Sequence, residues 1–462
     1  MELTELQTLL GNYGELQKKV KEAKPAVGNK VDATKQYNPA THNITDKTHR
    51  PDKIVSTDNG PTTVSVARLP ISLQKKIVLY RTAFLCANPI KLVATPADDS
   101  QNNFFGLVQK VWGDAKLDYA TMKLARMKMS EMEVAEIWYA EAADKKYWAG
   151  TIISEAKFKL RVKILATSLG DELFPVFDST GNMIAFGRGY TQIVGDKKIE
   201  HFDLYTDTKI HFGEKNDTGW IITKSETNFF GKIPVIYYSQ ENPEWADVQS
   251  LIDRLEVVVS NLADTNDYFG SPLIITQGEV KGFSKKGEQG KVLQVEGDGK
   301  VSYLTWDRSP ESVKLEKETL LSLIYDQTET PNISFDQMKG LGTFSGFALK
   351  MLFMSAHMKA AEHEQDFGEG IQRRINLIKA ALARISTKLE PATILTIKPR
   401  FEYFLPKNES EIVDMLTVAN GNKPIISQES AVALNPLVID PQAEIVKLQS
   451  EKEQADPLEP EF

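Results

Sequence analysis

The residues best able to do chemistry fall between 357 and 366, where His357, Glu362, His363, Glu364 and Asp366 share one helical pattern. Imidazoles and carboxylates at that density could hold zinc or move protons. Their spacing argues against both. No H-E-x-x-H is present, and the histidines stand six residues apart, on different faces of a helix. A solvated or interface face fits them better. The enzymatic alternative is a hydrolase whose site forms across subunits around His357 and His363.

Other chemical motifs are missing. The Gly-Lys pairs at 231–232, 290–291 and 299–300 lack the upstream glycine and the following Ser or Thr of a phosphate-binding P-loop. Gly340-Leu341-Gly342-Thr343-Phe344-Ser345-Gly346 is one residue out of register for G-x-G-x-x-G and follows no strand. It reads as a flexible hinge. No G-x-S-x-G occurs. The single cysteine, Cys86, sits among apolar residues and reads as a core thiol. No catalytic residue, metal or cofactor is expected.

The elements around these residues follow from periodicity. Trp245, Val248, Ile252, Leu255, Val259 and Leu262 form one apolar seam, on a helix expected to start at Asn242-Pro243-Glu244. Its other positions carry Glu244, Asp247, Asp253, Glu256, Asp264 and Asp267 against Arg254 alone. They read either as an ordinary solvated face or, repeated around a ring, as the lining of a duct that repels DNA and keeps it mobile. A Gly-rich β insertion follows, then a helix from Ser309-Pro310-Glu311, a loop, and a helical pattern from Phe347 to about Leu389 with Gly368 and Gly370 inviting a bend. Residues 133–238 alternate in period two between Asp, Asn and Gly turns, the mark of antiparallel β structure. Residues 25–62 are polar and read as an extended arm.

Composition sets the limits. The chain has 462 residues, 41% hydrophobic, with a net charge of −8. That is enough for real cores, and too acidic for a phosphate-clamping surface. Met1-Glu2-Leu3-Thr4 does not open a signal peptide, and no apolar run approaches the roughly 18 residues of a membrane span.

Four segments, in order, resemble the portal (head-to-tail connector) proteins of tailed double-stranded-DNA bacteriophages. They are Leu73 to Val93, with Ala87-Asn88 replacing the usual glycine pattern; Phe174 to Ile222, with Leu204-Tyr205-Thr206-Asp207; Phe229 to Ile236, followed by Asn242 and the helix containing Asp253; and Ser345 to Lys350. Together they cover about residues 64 to 405. The resemblance implies an α+β portal fold: an arm (1–62), a wing that is helical and then antiparallel β (63–242), a stem helix (243–268), a small β-containing clip (269–308), a second stem helix (309–327), a tunnel loop (328–345), a long wing helix with a returning strand (346–405), a helical crown (406–455) and a tail (456–462).

It also implies a ring, usually dodecameric, at one capsid vertex of the virion, assembled in the host cytoplasm. Double-stranded DNA would pass through it without sequence specificity. Its partners would be the terminase large subunit, a head–tail adaptor, and the major capsid and scaffolding proteins. On that reading Met338, Lys339, Leu341, Thr343 and Phe344 face the DNA, and Glu244, Asp247, Asp253, Glu256 and Asp264 form the acidic stem. Lys281, Lys285, Lys286 and Lys291 of the clip meet the motor or adaptor. A different virion or assembly protein with the same helix–β–helix order is the structural alternative.

Overall fold

A computed structural model of the chain describes residues 3–57, 60–269, 273–277, 280–282, 294–295, 300–304, 310–332, 351–404, 409–421, 423–438 and 440–455. It divides into two compact units, Met1–Asn332 with Met358–Tyr403, and Ile333–His357 with Phe404–Phe462.

The first unit opens with helices α1 (Leu3–Leu9), α2 (Tyr13–Glu22) and α3 (Lys30–Tyr37), then strands β1 (Lys53–Thr57) and β2 (Gly60–Val64). Helices α4 (Leu73–Cys86), α5 (Asp99–Asp114) and α6 (Leu117–Glu131) flank β3 (Lys91–Ala94). Strands β4 (Glu133–Ala142) and β5 (Phe158–Leu165) pair with β11 (Val235–Ser239) in the order β11-β4-β5. Between them β6 (Asp171–Phe177), β7 (Met183–Val194), β8 (Lys197–Tyr205), β9 (Lys209–Asn216) and β10 (Gly219–Thr227) make an antiparallel meander. Period-two sequence becomes sheet here because tight turns such as Ser179-Thr180-Gly181-Asn182 return each strand. Gly181 takes φ +84°, and Asp178 accepts hydrogen bonds from the backbone of Thr180 and Asn182.

Helix α7 (Gln249–Phe269) begins later than the sequence suggests, after a 3-10 turn at Ala246–Val248. Glu244 is drawn aside into an ion-pair cluster described below, so Asn242 does not serve as its cap. After α7, β12 (Leu273–Gln277) pairs antiparallel with β15 (Lys300–Leu304), and β13 (Val280–Gly282) with β14 (Gln294–Val295). Helix α8 (Pro310–Gln327) then returns along α7, with Arg254 bonded to Glu316 at 2.7 Å.

The long helix α9 runs Met354–Ile385, 32 residues, shorter than the expected span to Leu389. A 3-10 segment from Thr387 to Ile394 containing Pro391 takes over at its end. Gly368 and Gly370 lie inside continuous helix, and no bend is needed to explain them. A Cβ on Gly370 would stand 2.0 Å from the ring of Tyr238, so the glycine admits that ring. Strand β16 (Ile397–Arg400) returns to pair with β3. The main core joins α4–α8, β4 and α9 through residues such as Phe104, Trp138, Trp245, Ile252, Phe367 and Ile378. A smaller core seats Leu6, Leu16 and Val20 on Val176 and Phe202 of the meander. The second unit contains helices Glu409–Ala419, Gln428–Leu434 and Pro441–Ala455.

Candidate functional site

The acids of α7 are the site residues that the structure describes best, and most of them are already engaged. Positions 256, 260 and 264 fall one turn apart on one face of the helix. Glu256 Oε1 accepts the backbone N–H of Ile71 at 2.7 Å. Ser260 Oγ accepts that of Leu69 at 3.0 Å, and Asp264 Oδ1 that of Ala67 at 2.6 Å. Four helical residues rise about 6 Å, and two extended residues about 6.6 Å. The near-match lets an extended chain hang every second N–H on every fourth helical side chain. Pro70, which has no N–H, falls between two of the bonded positions.

Side chains of residues 25–72 lock this zipper. His42 Nδ1 stands 2.6 Å from Glu256, both side chains almost fully buried, and its other nitrogen meets the Gln36 carbonyl. Burial opposes the imidazolium, but the hydrogen bond and charge of Glu256 outweigh it and raise the pKa of His42. Arg50 bonds Asp264 at 2.7 Å and Asn261 at 2.9 Å. Trp245, fully buried, donates to the Gln36 side chain and stacks on Tyr37. Lys24 and Lys30 both reach Glu133 on β4, and Tyr237 donates to its other oxygen. Burial, with the charge of Lys24 alongside, brings Lys30 down to about 7. Gly28 lies so close to the Glu241 carbonyl that a Cβ would approach it to 2.5 Å. Within the polar stretch 25–62, expected as an extended arm, the residues up to Arg50 are therefore folded onto the body, while β1 and β2 stay exposed. Its anchors are charges and amides, which composition reads as loop.

A second cluster joins four elements. Arg81 of α4 pairs with Glu244 at 2.7 Å and donates to the Thr328 carbonyl just past α8. His363 of α9 stands 3.2 Å from Glu244 and 3.4 Å from Arg81. Burial raises the cost of charge on Glu244, but the hydrogen bond and charge of His363, then Arg81, overcome it and hold the carboxyl at about 2. A cavity of about 340 Å³ opens beside these groups. Its wall includes Lys128, 3% exposed, whose nearest carboxylate is Asp366 at 3.9 Å.

The acidic-duct reading is corrected at two positions. Glu244 and Glu256 are buried in contacts within the chain and cannot line a surface. Asp264 is paired with Arg50. Asp247 and Asp267 are exposed, and Asp253 is half-buried beneath a hydrogen bond from Gln249. Met338, Lys339, Leu341, Thr343 and Phe344 lie outside the described residues, as do Lys285, Lys286 and Lys291. Lys281 lies in β13. His363 belongs to the buried cluster, while His357 meets the Phe404 carbonyl at 3.2 Å. Cys86 is buried, and burial, partly offset by Arg374, pushes its thiol up to about 12. Sequence reasoning missed His42, Arg50 and Arg81. The signal available was a helix with acids at 256 and 264, two turns apart on one face, and basic partners far away in the chain. Among the described residues, no His, Cys, Asp and Glu side chains gather to hold a metal ion, and no helix is long and apolar enough to cross a membrane.

Comparison with known proteins adds a family. The family described as "Phage portal protein, SPP1 Gp6-like" matches residues 18–458. The portal protein of Bacillus phage SPP1 is 25% identical over 335 residues, which span 67% of this chain and 64% of that protein. The chain thus spans less than two thirds of that relative's length. Among solved structures, the neck of a native GTA particle computed with C12 symmetry aligns at TM-score 0.39 and 12% identity, covering 90% of this chain and 96% of that one. The neck of an empty GTA particle computed with C6 symmetry aligns at 0.36 and 12%, covering 79% and 89%.

Proposed function

The chain belongs to the SPP1 Gp6-like family of phage portal proteins, and from that premise we propose that it is the subunit of a closed ring at one capsid vertex. The ring is the conduit through which double-stranded DNA enters and leaves. It docks the terminase large subunit during packaging, and then the adaptor that joins head to tail. Its role is structural, with the energy for translocation coming from the separate motor. Capsid and scaffolding proteins hold it in place.

The observation that carries this reading is a family match running almost end to end. The chain's own features support it. Helices α7 and α8 are the stem, and the strand pairs β12–β15 and β13–β14 between them belong to the clip. Residues 328–345 are the tunnel loop, which leaves the first unit beside the Arg81–Glu244–His363 cluster; 406–455 are the crown. Lys339, with Met338, Leu341, Thr343 and Phe344, meets DNA, and Lys281, Lys285, Lys286 and Lys291 steer transient partners. With Glu244 and Glu256 withdrawn and Asp264 paired, the acids of the first stem helix left to repel the duplex are the exposed Asp247 and Asp267 and the half-buried Asp253.

The test is DNA content. Particles assembled with Gly340→Val and Gly342→Val should form with normal rings but contain less DNA, because β-branched residues remove the loop's backbone freedom. Full DNA content in such particles would refute the tunnel-loop assignment.

A further inference from the structure

The β1–β2 ribbon, Lys53 to Val64, has no role in the assignment above. Its root is fixed. Arg68 donates to the Arg50 carbonyl at 2.6 Å and to Asp52 at 2.7 Å, while Arg50 donates to the Ala67 carbonyl at 2.8 Å and holds Asp264 of α7. Beyond the root the ribbon is bare. Ile54 is 76% exposed, Val55 45% and Val64 46%. Neighbouring strand residues face opposite sides, so Ile54 and Val55 leave both faces uncovered. A two-stranded ribbon is marginal in water, and its open edges invite pairing. A rigid mount carrying an apolar ribbon is built to meet something.

The same unit bears a matching surface. On α8, Leu315 (66% exposed), Thr319 and Leu323 (40%) stand one turn apart. Leu315 lies on the far side of the helix from Ile324, which is fully buried. Exposed Glu311 and Asp326, with Glu318 beside Lys314 at 3.9 Å, border this stripe, whereas the ribbon presents Lys53. The two patches sit on different flanks of the helix pair. Arg254, which bonds α8, is about 160° around α7 from Glu256, which holds the arm. Asp264 lies about 15 Å along α7 from Arg254, toward the start of α8, so the ribbon's root is nearer the level of Leu315 than of Leu323.

A ribbon on one flank and a complementary stripe on the other make a head-to-tail contact, the kind that closes into a ring. We propose that the β1–β2 ribbon of each copy packs on the Leu315–Thr319–Leu323 face of α8 in the next copy. The proposal rests on the ring reading, and names the surface that joins ring neighbours.

Full-length protein carrying Ile54→Cys and Leu315→Cys together tests it, with light scattering to establish assembly before oxidation. Wild-type protein, whose Cys86 is buried, is the control. The expected result is a non-reducing gel ladder extending past the dimer, absent from either single variant. Ring-sized particles that yield only monomer, internally linked monomer or dimer would overturn the ribbon contact while leaving the ring intact. Wild-type protein that never exceeds a monomer would overturn the ring reading itself. As a second measurement, Ile54→Asp should lower the ring fraction several-fold in dilute protein, and unchanged assembly would contradict the proposal.

Discussion

Glu256 and Glu244 show what a carboxylate does once it leaves water. Each satisfies basic or amide groups drawn from distant parts of the chain, and removing either would strand its partners in a low-dielectric interior. Glu244→Gln should cost about 3–5 kcal/mol, since Arg81 would remain buried without its counter-charge; a fall in melting temperature of several degrees would register it. Acid should do the same work. The carboxyl is depressed to about 2 in the folded protein, below an ordinary glutamate at about 4.3. Its stabilisation is therefore complete only above about pH 5 and is lost as pH falls through the unfolded value toward 2. His42 runs the other way. Its pKa is raised in the fold, so its contribution is whole below about pH 6.5 and disappears as pH rises through the folded value. Protection factors at the Leu69 and Ile71 amides, with intrinsic base-catalysed exchange divided out, should fall across that rise, and His42→Gln should remove that fall. At Gly370 the limit is space. Gly370→Ala would drive Tyr238 away from Glu136, to which it donates at 3.2 Å, and should cost about 1–3 kcal/mol by overpacking. Wild-type melting in that variant would show that the ring has room to move.

Among the elements, α7 carries two loads. Its Ile252 and Leu255, continuing a seam that starts at Trp245 and Val248 just before the helix, pack into the core, while its row at 256, 260 and 264 holds an extended segment. Asp264→Ala should free both the Ala67 amide and Arg50, loosening the ribbon's root. Faster proteolysis between residues 50 and 70, with the body intact, is the expected readout. The seam was legible in the sequence because burial imposes a period, as were the alternating strands of 133–238. The acids were not. A row of Glu256, Ser260 and Asp264 looks the same whether it faces water or accepts N–H groups, and nothing local records that Ala67, Leu69 and Ile71 will arrive. Residues 25–62 were hard to read for the same reason: Gln36, His42 and Arg50 stabilise by pairing with residues some two hundred positions away. The late start of α7 has a similar cause, since Glu244 is drawn to Arg81 and His363 instead of heading a helix.

At the scale of the whole molecule, the family match from 18 to 458 joins these parts into one role. Exposed apolar surface on the ribbon and on α8, together with two antiparallel strand pairs between α7 and α8, suits a subunit completed by copies of itself. The most direct measurement is electron microscopy of the purified full-length chain, with its mass determined in solution. The account expects closed rings with a central hole wide enough for a DNA duplex, and a mass that is a whole multiple of 51.7 kDa. A chain that stays monomeric at every concentration, or builds particles with no central hole, would contradict it.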